Sequence, residues 1–286
     1  MYNEYITDET ETLMKYDLIF SDFDGTLLKT DFTVDKSTAD AIRGYVGRGG
    51  KFVVCTGRMS RSLDGWLDYL GLSGERIAVV GFQGSYVADT AGNVLYECTV
   101  PHESVDKILA FAEKFNLYTH FYDADYVYIN EENEINLEYN RLTAAPLKTV
   151  GNLRAYLKAH PGLPVLKVMI VVDPADAERI CAECEKEDFG EVDHYMSSTS
   201  FLEFASESGG KGAGLKKVAE LYGVPVEKTI AIGDSQNDIS MLKAAGLGVA
   251  VGNARSDVKA AADYVTVTND EGAVKAVIEK FCGGNE

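Results

Sequence analysis

The sequence predicts an α/β protein whose core is a parallel sheet built from both ends of the chain, with an α+β module inserted in the middle. Two observations lead to this prediction. Short apolar runs alternate with helical patterns before residue 97 and again after residue 205, which is typical of a parallel sheet covered on both faces. Between these stretches, neighbouring strand patterns flank helical ones, and this order favours a separate α+β unit.

The composition is that of a globular protein and argues against several functional classes. The chain has 286 residues, of which 46% are hydrophobic and 25% charged, so its length suits one large or two ordinary domains. No apolar run approaches the roughly 20 residues of a membrane span. The net charge of −18 would repel a nucleic-acid backbone. We therefore expect no nucleic-acid or membrane partner, and an anionic substrate would need local compensation such as a metal ion.

The first residues and the cysteines indicate the cellular compartment of the protein. Residues 1–14 are acidic and lack the basic and apolar segments of a secretory signal, so we interpret them as an N-terminal arm. Five scattered cysteines fit a reducing cytosol better than a disulfide framework. We expect a cytoplasmic protein.

In the first part of the chain, apolar runs end in turn-rich stretches and helical patterns begin at capping residues. A helix after Asp35 would stop at Gly49 and Gly50. The predicted elements are strands at 16–21, 51–55 and 77–80 and helices at 36–48 and 60–70.

The middle and last parts of the chain differ in the order of their predicted strands and helices. The middle opens with an amphipathic helix and an aromatic-rich hairpin, whereas the last part returns to alternating strands and helices. Predicted for the middle are helices at 101–115, 152–159 and 176–186 and strands at 118–122, 126–130, 165–172, 194–196 and 201–204. Predicted for the last part are helices at 211–222, 238–245 and 273–281 and strands at 229–232, 247–251 and 264–267.

Two carboxylates, Asp22 and Asp24, follow the first predicted strand. Residues i and i+2 of an extended chain point the same way, so both can be aimed at one site. Close carboxylates repel each other, and a hard cation such as Mg²⁺ resolves that conflict because it prefers oxygen ligands. The simpler interpretation is a plain turn, since Asp24-Gly25 is a common turn sequence.

Two further clusters could bind an anion. Thr56 and Gly57 end the second predicted strand, where a hydroxyl and a backbone N–H can hold a phosphate oxygen. Lys211 starts a predicted helix, although a lysine normally favours the other end of the helix dipole, and this placement makes sense if it faces an anion. The simpler interpretations are a strand-to-helix turn and a solvated surface lysine.

The fourth cluster runs from Gly233 to Asp238. Asp234 lies at the carboxyl end of a predicted strand and Asn237 follows; ligands of open parallel sheets bind beyond such strand ends. Taken alone, the aspartates could simply cap the next helix. What favours catalysis is the occurrence of all four clusters in this order, each at the end of a strand or the start of a helix.

With these residues and this order, the sequence resembles the haloacid dehalogenase-like phosphohydrolases, and more narrowly their Cof-type members with a class IIB cap. The resemblance begins near residue 16 and includes the tail segments 248–254 and 262–266. It implies a Rossmann-like parallel sheet core with an inserted α+β cap domain. The expected boundaries are 1–14 for the arm, 15–97 and 206–286 for the core, and 98–205 for the cap.

The resemblance also implies a mechanism with Mg²⁺ as cofactor. Asp22 would attack phosphorus and form an aspartyl-phosphate, Asp24 would act as general acid and then base, and Mg²⁺ would be held by Asp22, the backbone carbonyl of Asp24, and Asp234. Phosphate oxygens would be bound by the backbone N–H groups of Phe23 and Gly57 and by Thr56, Lys211 and Asn237. Asp238 and Arg58 would support these groups.

The sequence departs from the family pattern in the stretch that follows its third strand. It has Gln83-Gly84-Ser85 where the family usually has Asn-Gly, and residues 206–210 lack the usual Pro and Val. A methionine common after Gly-Val-Ala is Val251 here. None of these changes removes a catalytic side chain, but the first two are expected to reshape the substrate entrance.

The expected partner is a small-molecule phosphate ester, bound by a monomer or weak homo-oligomer. Residues 101–200 carry nine Lys and Arg against eighteen Asp and Glu, a poor match for a second phosphate, so a sugar or polyol monophosphate is favoured. One alternative is a sugar phosphomutase on the same core, which would need a grip on a second phosphoryl group. Another is a non-catalytic Mg²⁺- and phosphate-binding regulator, which would have no use for Asp24 as an acid and base.

Overall fold

The structure is a computed structural model that describes residues 15–73, 79–143 and 145–283. The predicted arm at 1–14 and the first two residues of the strand predicted at 77–80 lie outside the described residues.

Strands and helices alternate over most of the described chain. The strands are β1 (Leu18–Asp22), β2 (Lys51–Cys55), β3 (Val79–Gly81), β4 (Tyr86–Ala88), β5 (Val94–Glu97), β6 (Tyr118–Tyr122), β7 (Val127–Ile129), β8 (Leu147–Thr149), β9 (Lys167–Val171), β10 (Val192–Met196), β11 (Phe201–Ser206), β12 (Thr229–Gly233), β13 (Leu247–Ala250) and β14 (Tyr264–Val265). The helices are α1 (Lys36–Gly47), α2 (Asp64–Leu70), α3 (His102–Lys114), α4 (Glu134–Thr143), α5 (Leu153–Ala159), α6 (Ala177–Cys184), α7 (Lys211–Tyr222), α8 (Ile239–Ala244), α9 (Ser256–Ala261) and α10 (Ala273–Cys282).

Eight strands from the two ends of the chain form the large sheet, in the order β14-β13-β12-β1-β2-β3-β4-β5. The strands from β14 to β3 are parallel, and β4 and β5 extend the sheet antiparallel. The chain moves one way from β1 to β2 and the other way from β12 to β13, so right-handed crossovers put α1 and α8 on opposite faces. The order of the strands therefore reverses beside β1, and a crevice opens there at the carboxyl ends of β1 and β12.

The middle of the chain forms the small sheet, in the order β10-β11-β9-β6-β7-β8. Its strands pair antiparallel except for β7 and β8. Side chains of a strand alternate between faces, and one face of the small sheet buries an apolar cluster beneath α3, α5 and α6 that includes Val168, Ile170 and Phe204. The other face points toward the large sheet.

A separate apolar cluster joins the two sheets. Phe82, which follows β3, and Tyr86, the first residue of β4, belong to one buried cluster with Tyr122, Val127 and Met169 of the small sheet. The Phe82 ring lies 6.2 Å from that of Tyr122 in an edge-on arrangement. This contact holds the face of the small sheet over the crevice of the large one.

The predicted fold class is confirmed, with differences in individual elements. The helix predicted at 60–70 starts as a 3₁₀ turn over Ser60–Leu63. The sequence patterns do not predict strands β4, β5 and β8 or helices α4 and α9. Exposure explains two of these differences, because β5 is partly or fully exposed throughout and α4 is largely polar, so neither shows a clear apolar period. No helix of the described chain has the length and apolar character needed to cross a membrane.

Candidate active site

The pairing of β1 with β12 brings two distant acidic segments together. The strands are parallel with Ser21 opposite Ile232, so Asp22 and Asp234 leave the sheet side by side. Carboxylate oxygens of Asp22, Asp234 and Asp238 all lie within 4.8 Å of one another. Asp22 and Asp234 are far apart in the sequence, and the register of the two central strands β1 and β12 brings them together.

Lys211 lies among these carboxylates. It is the first residue of α7 and is almost completely buried. Its Nζ atom is 2.5 Å from Asp22 Oδ1 and 2.6 Å from Asp238 Oδ1. Burial by itself would lower the pKa of Lys211, but the two carboxylates outweigh burial and hold its pKa well above the ordinary value. Lys211 is therefore a fixed positive charge at the end of β1.

The aspartates of the site are electrostatically crowded. Burial raises the pKa of Asp22 well above 3.8; Lys211 opposes that rise, and the neighbouring carboxylates add to it. Burial and Asp238 also raise the pKa of Asp234. One lysine cannot neutralise these three carboxylates, of which Asp22 and Asp238 are buried and Asp234 is partly buried. A divalent cation with a preference for oxygen would relieve this repulsion, so the donor set fits Mg²⁺.

The carboxylate of Asp238 holds the loop after β12 and the side chain of Lys211 in place. Its Oδ2 atom accepts hydrogen bonds from the backbone N–H groups of Asp234 and Ser235, both at 2.9 Å, and its Oδ1 atom accepts from Lys211. Asp234 instead receives hydroxyl hydrogen bonds from Ser235 at 3.0 Å and Thr26 at 3.3 Å. Asp238 thus shapes the loop after β12 and orients Lys211, which leaves Asp22 and Asp234 better suited to hold a cation.

Asp24 lies at the rim of this site. Its carboxylate accepts a hydrogen bond from Arg58 Nε at 2.8 Å and a second from the same guanidinium. Among the described residues, the group of clustered carboxylates does not include Asp24, so a contact of Asp24 with a metal would use its main chain.

The guanidinium of Arg58 also lies 5.4 Å from the centre of the Phe23 ring, and that ring is buried against Trp66. Only the backbone of Phe23 can serve the site.

Three candidate phosphate ligands, Thr56, Gly57 and Asn237, lie beside Gln83. The sequence patterns did not assign Gln83 to the site. Asn237 Nδ2 donates to Gln83 Oε1 at 2.8 Å, and a Cβ atom on Gly57 would lie 2.4 Å from Gln83 Nε2. Thr56 Oγ1 accepts a hydrogen bond from the backbone N–H of Arg58. Gln83 has a φ of 59°, an uncommon value for a side-chain-bearing residue that is often found at functional sites. The one sign of this role in the sequence was the departure from the family pattern at Gln83-Gly84-Ser85.

A cavity of about 910 Å³ connects these residues to the small sheet. Its volume is in the range of small-molecule binding sites. The side of the large sheet contributes Asp22, Asp24, Gly57, Arg58, Gln83, Lys211, Asp234 and Asn237, and the small sheet contributes Tyr122, Lys167, Met169, Tyr195, Phe201 and Glu203. Phe23, Thr56 and Asp238 are buried behind this lining.

A sequence model of the haloacid dehalogenase-like hydrolases matches residues 19–278. The chain belongs to this family. The resemblance inferred from the four clusters is therefore confirmed, and this haloacid dehalogenase-like hydrolase is a phosphatase, as its relatives are.

Two relatives from Bacillus subtilis illustrate the likeness. Phosphatase YwpJ is 31% identical over 90% of this chain and 96% of its own. The 5-amino-6-(5-phospho-D-ribitylamino)uracil phosphatase YitU is 30% identical over 92% of this chain and 97% of its own. A solved haloacid dehalogenase-like hydrolase from Bacteroides thetaiotaomicron has a TM-score of 0.82 at 28% identity, over 93% of this chain and 99% of that one.

Proposed function

We propose that this phosphatase is a Mg²⁺-dependent hydrolase of a sugar or polyol monophosphate that works through an aspartyl-phosphate on Asp22. The observation that carries the proposal is the position of Asp22, buried at the end of β1 with Lys211 2.5 Å away and Asp234 beside it. A buried carboxylate next to a fixed positive charge is suited to attack an anionic phosphoryl group.

In the first step, an Asp22 oxygen bonds to phosphorus while the bond from phosphorus to the leaving oxygen breaks. Asp24 gives its proton to that oxygen, and the alcohol departs. Water then attacks phosphorus, the bond to Asp22 breaks, and the proton of the water passes to Asp24. Bound Mg²⁺, held by Asp22, Asp234 and the backbone carbonyl of Asp24, would reduce repulsion between nucleophile and phosphate.

The phosphoryl oxygens carry the charge of the transition state and need donors held in advance. Lys211 supplies an ammonium, while Thr56, Asn237 and the backbone N–H groups of Phe23 and Gly57 are the proposed neutral donors. Asn237 is oriented for this role by its hydrogen bond to Gln83.

Charge in the cavity supports a monophosphate. The cationic side chains among its described lining residues are each within 4.0 Å of a carboxylate: Arg58 with Asp24, Lys167 with Glu203, Lys211 with Asp22, and Arg255 with Asp257. Apart from Lys211, which serves the transferred phosphoryl group, each cation among these described residues is already neutralised by a carboxylate, and this disfavours a second phosphoryl group and so the phosphomutase alternative. The name of YitU describes a substrate with a phosphorylated ribityl chain, which supports a polyol phosphate here.

The test is phosphate release from a panel of phosphomonoesters, with Mg²⁺ and with EDTA. Asp22→Asn should lower kcat by about 10³-fold or more, because the amide is a poor nucleophile. Asp17→Asn is the matched control: Asp17 precedes the other end of β1 and pairs with Lys228, so its activity should stay near wild type.

Three results would contradict the proposal. Substantial turnover by folded Asp22→Asn would reject the nucleophile. Full activity in EDTA would reject the dependence on a metal ion. Turnover that appears only with a sugar bisphosphate activator would favour the mutase.

A further inference from the structure

The cavity face of the small sheet carries an ion pair. On β9, Val168 and Ile170 face the buried cluster beneath the helices, whereas Lys167 and Met169 face the cavity. On β11, Leu202 and Phe204 belong to the same buried cluster, whereas Phe201 and Glu203 line the cavity. The two-residue period of these strands thus directs one cation and one anion at the substrate space.

These two charges contact each other and are almost fully enclosed. Lys167 Nζ lies 3.3 Å from Glu203 Oε2, and the side chains are 5% and 7% exposed. Glu203 also accepts hydrogen bonds from Ser197 Oγ at 2.8 Å and from Tyr195 OH at 3.3 Å. Lys167 Nζ lies 4.6 Å from the centre of the Tyr122 ring. Within the described chain, Glu203 is the one carboxylate at ion-pair distance from Lys167.

Stability does not account for such a pair. Removing two charges from water costs more than their attraction usually returns, and apolar side chains of similar size are often equally stabilising. Lys167 nevertheless stays charged: burial would lower the pKa of Lys167, but the attraction of Glu203 outweighs burial and the pKa is raised. Glu203 neutralises the charge of Lys167 but accepts from only part of its three N–H donors, so the ammonium can still donate to an uncharged ligand group at the wall of this cavity.

We propose that Lys167 and Glu203 bind neighbouring hydroxyl groups of the leaving alcohol and select polyhydroxylated monophosphates over apolar ones. A hydroxyl can accept a hydrogen bond from the ammonium while it or its neighbour donates to the carboxylate. The pair has no net charge, so it suits hydroxyls rather than a second phosphate. This inference rests on the proposed function, because it concerns the leaving group of the same reaction.

The test compares two substrates, ribitol 5-phosphate and p-nitrophenyl phosphate, in the holoenzyme with Mg²⁺. Single variants Lys167→Met and Glu203→Gln each leave one buried charge unpaired, so the double variant, which removes both, guards against misfolding. In the double variant, kcat/KM for ribitol 5-phosphate should fall roughly 30-fold, mainly through KM, because hydroxyl contacts are lost. Hydrolysis of p-nitrophenyl phosphate, which lacks hydroxyls, should change by less than about threefold.

Lys148→Met is the matched control, since Lys148 is on β8 of the same sheet and does not line the cavity; both substrates should behave as in wild type. Equal losses for both substrates in the double variant would mean a structural role and overturn the inference. So would an unchanged ribitol 5-phosphate reaction, or a wild type active on p-nitrophenyl phosphate without preference for the polyol ester; in these cases the proposed function stands. A wild type inactive on both would reject the proposed function and the inference with it.

Discussion

At the scale of single residues, the site is crowded with negative charge, which lowers the stability of the metal-free protein. Asp234 is partly buried, and burial together with Asp238 raises its pKa. Relative to its ionised form, a carboxyl group with a raised pKa in the folded state contributes stability that is fully present below its unfolded-state pKa, near 3.8. That contribution is lost as the pH rises through the folded-state value.

Asp234→Asn should therefore stabilise the metal-free protein while it impairs catalysis. In EDTA at about pH 8, we expect Tm to rise by about 2–4 °C, the change that 1 kcal/mol produces in a protein of this size. The gain should shrink as the pH falls toward about 4, because the native carboxyl, whose pKa is raised, takes up its proton before the unfolded one does. Differential scanning calorimetry at the two pH values measures it.

Asp193→Asn is the control for this effect, because Asp193 lines the same cavity but is exposed. It should leave Tm nearly unchanged at either pH. A fall in Tm of Asp234→Asn at the higher pH would show that the hydrogen bonds to Asp234 outweigh the repulsion.

At the scale of secondary-structure elements, the turn after β3 supports the start of α7. Gly84 has a φ of 101°, and a Cβ atom there would lie 2.1 Å from the backbone oxygen of Gly210. Gly210 directly precedes Lys211, the buried lysine of the site. The close approach of two backbones, which a side chain would prevent, therefore fixes where α7 begins.

Gly84→Ala should separate these segments. We expect a loss of about 2–4 kcal/mol of unfolding free energy, from backbone strain plus the clash, and a fall in kcat of about tenfold or more as Lys211 moves. Denaturant unfolding and steady-state kinetics measure the two effects.

Gly92→Ala is the control that measures how much unfolding free energy is lost through the positive φ alone, without a clash. Gly92 also has a positive φ, 86°, but nothing lies within 4 Å of the added Cβ. This variant should lose only about 1–2 kcal/mol and keep its activity. Equal effects of the two substitutions would mean that the contact with Gly210 does not position Lys211.

At the scale of the whole molecule, the two sheets are held together by the apolar cluster around Phe82 and Tyr122. The large sheet carries the proposed reacting groups, and the small sheet covers them and supplies the far wall of the cavity. A contact that keeps the sheets together should therefore influence substrate binding, since closure excludes water and completes the site.

Val127→Ala tests this coupling. Val127 is fully buried in the joining cluster, whereas Val168 is fully buried on the opposite face of the same sheet. Each truncation should cost about 1–3 kcal/mol of unfolding free energy. Only Val127→Ala should raise KM, by roughly three- to tenfold, because it loosens the closed arrangement. Equal KM values for Val127→Ala and Val168→Ala would contradict this role.

Local patterns in the sequence are sufficient for the fold class and the family. The period of apolar residues reports which residues are buried. Turn chemistry reports where β1 and β12 end, so the sequence alone assigns Asp22 and Asp234 to strand ends. Local patterns fail where an element is exposed, as in β5.

Tertiary structure alone decided which side chains meet. The hydrogen bond of Asn237 to Gln83, the pairing of Asp24 with Arg58 and the ion pair of Lys167 with Glu203 each join residues far apart in sequence. Such contacts depend on strand register and on how two sheets face each other, and neither leaves a trace in the local period of hydrophobicity. The sequence therefore determined the chemistry available to this phosphatase, whereas packing between distant segments decided the shape and polarity of the space that its substrate must fill.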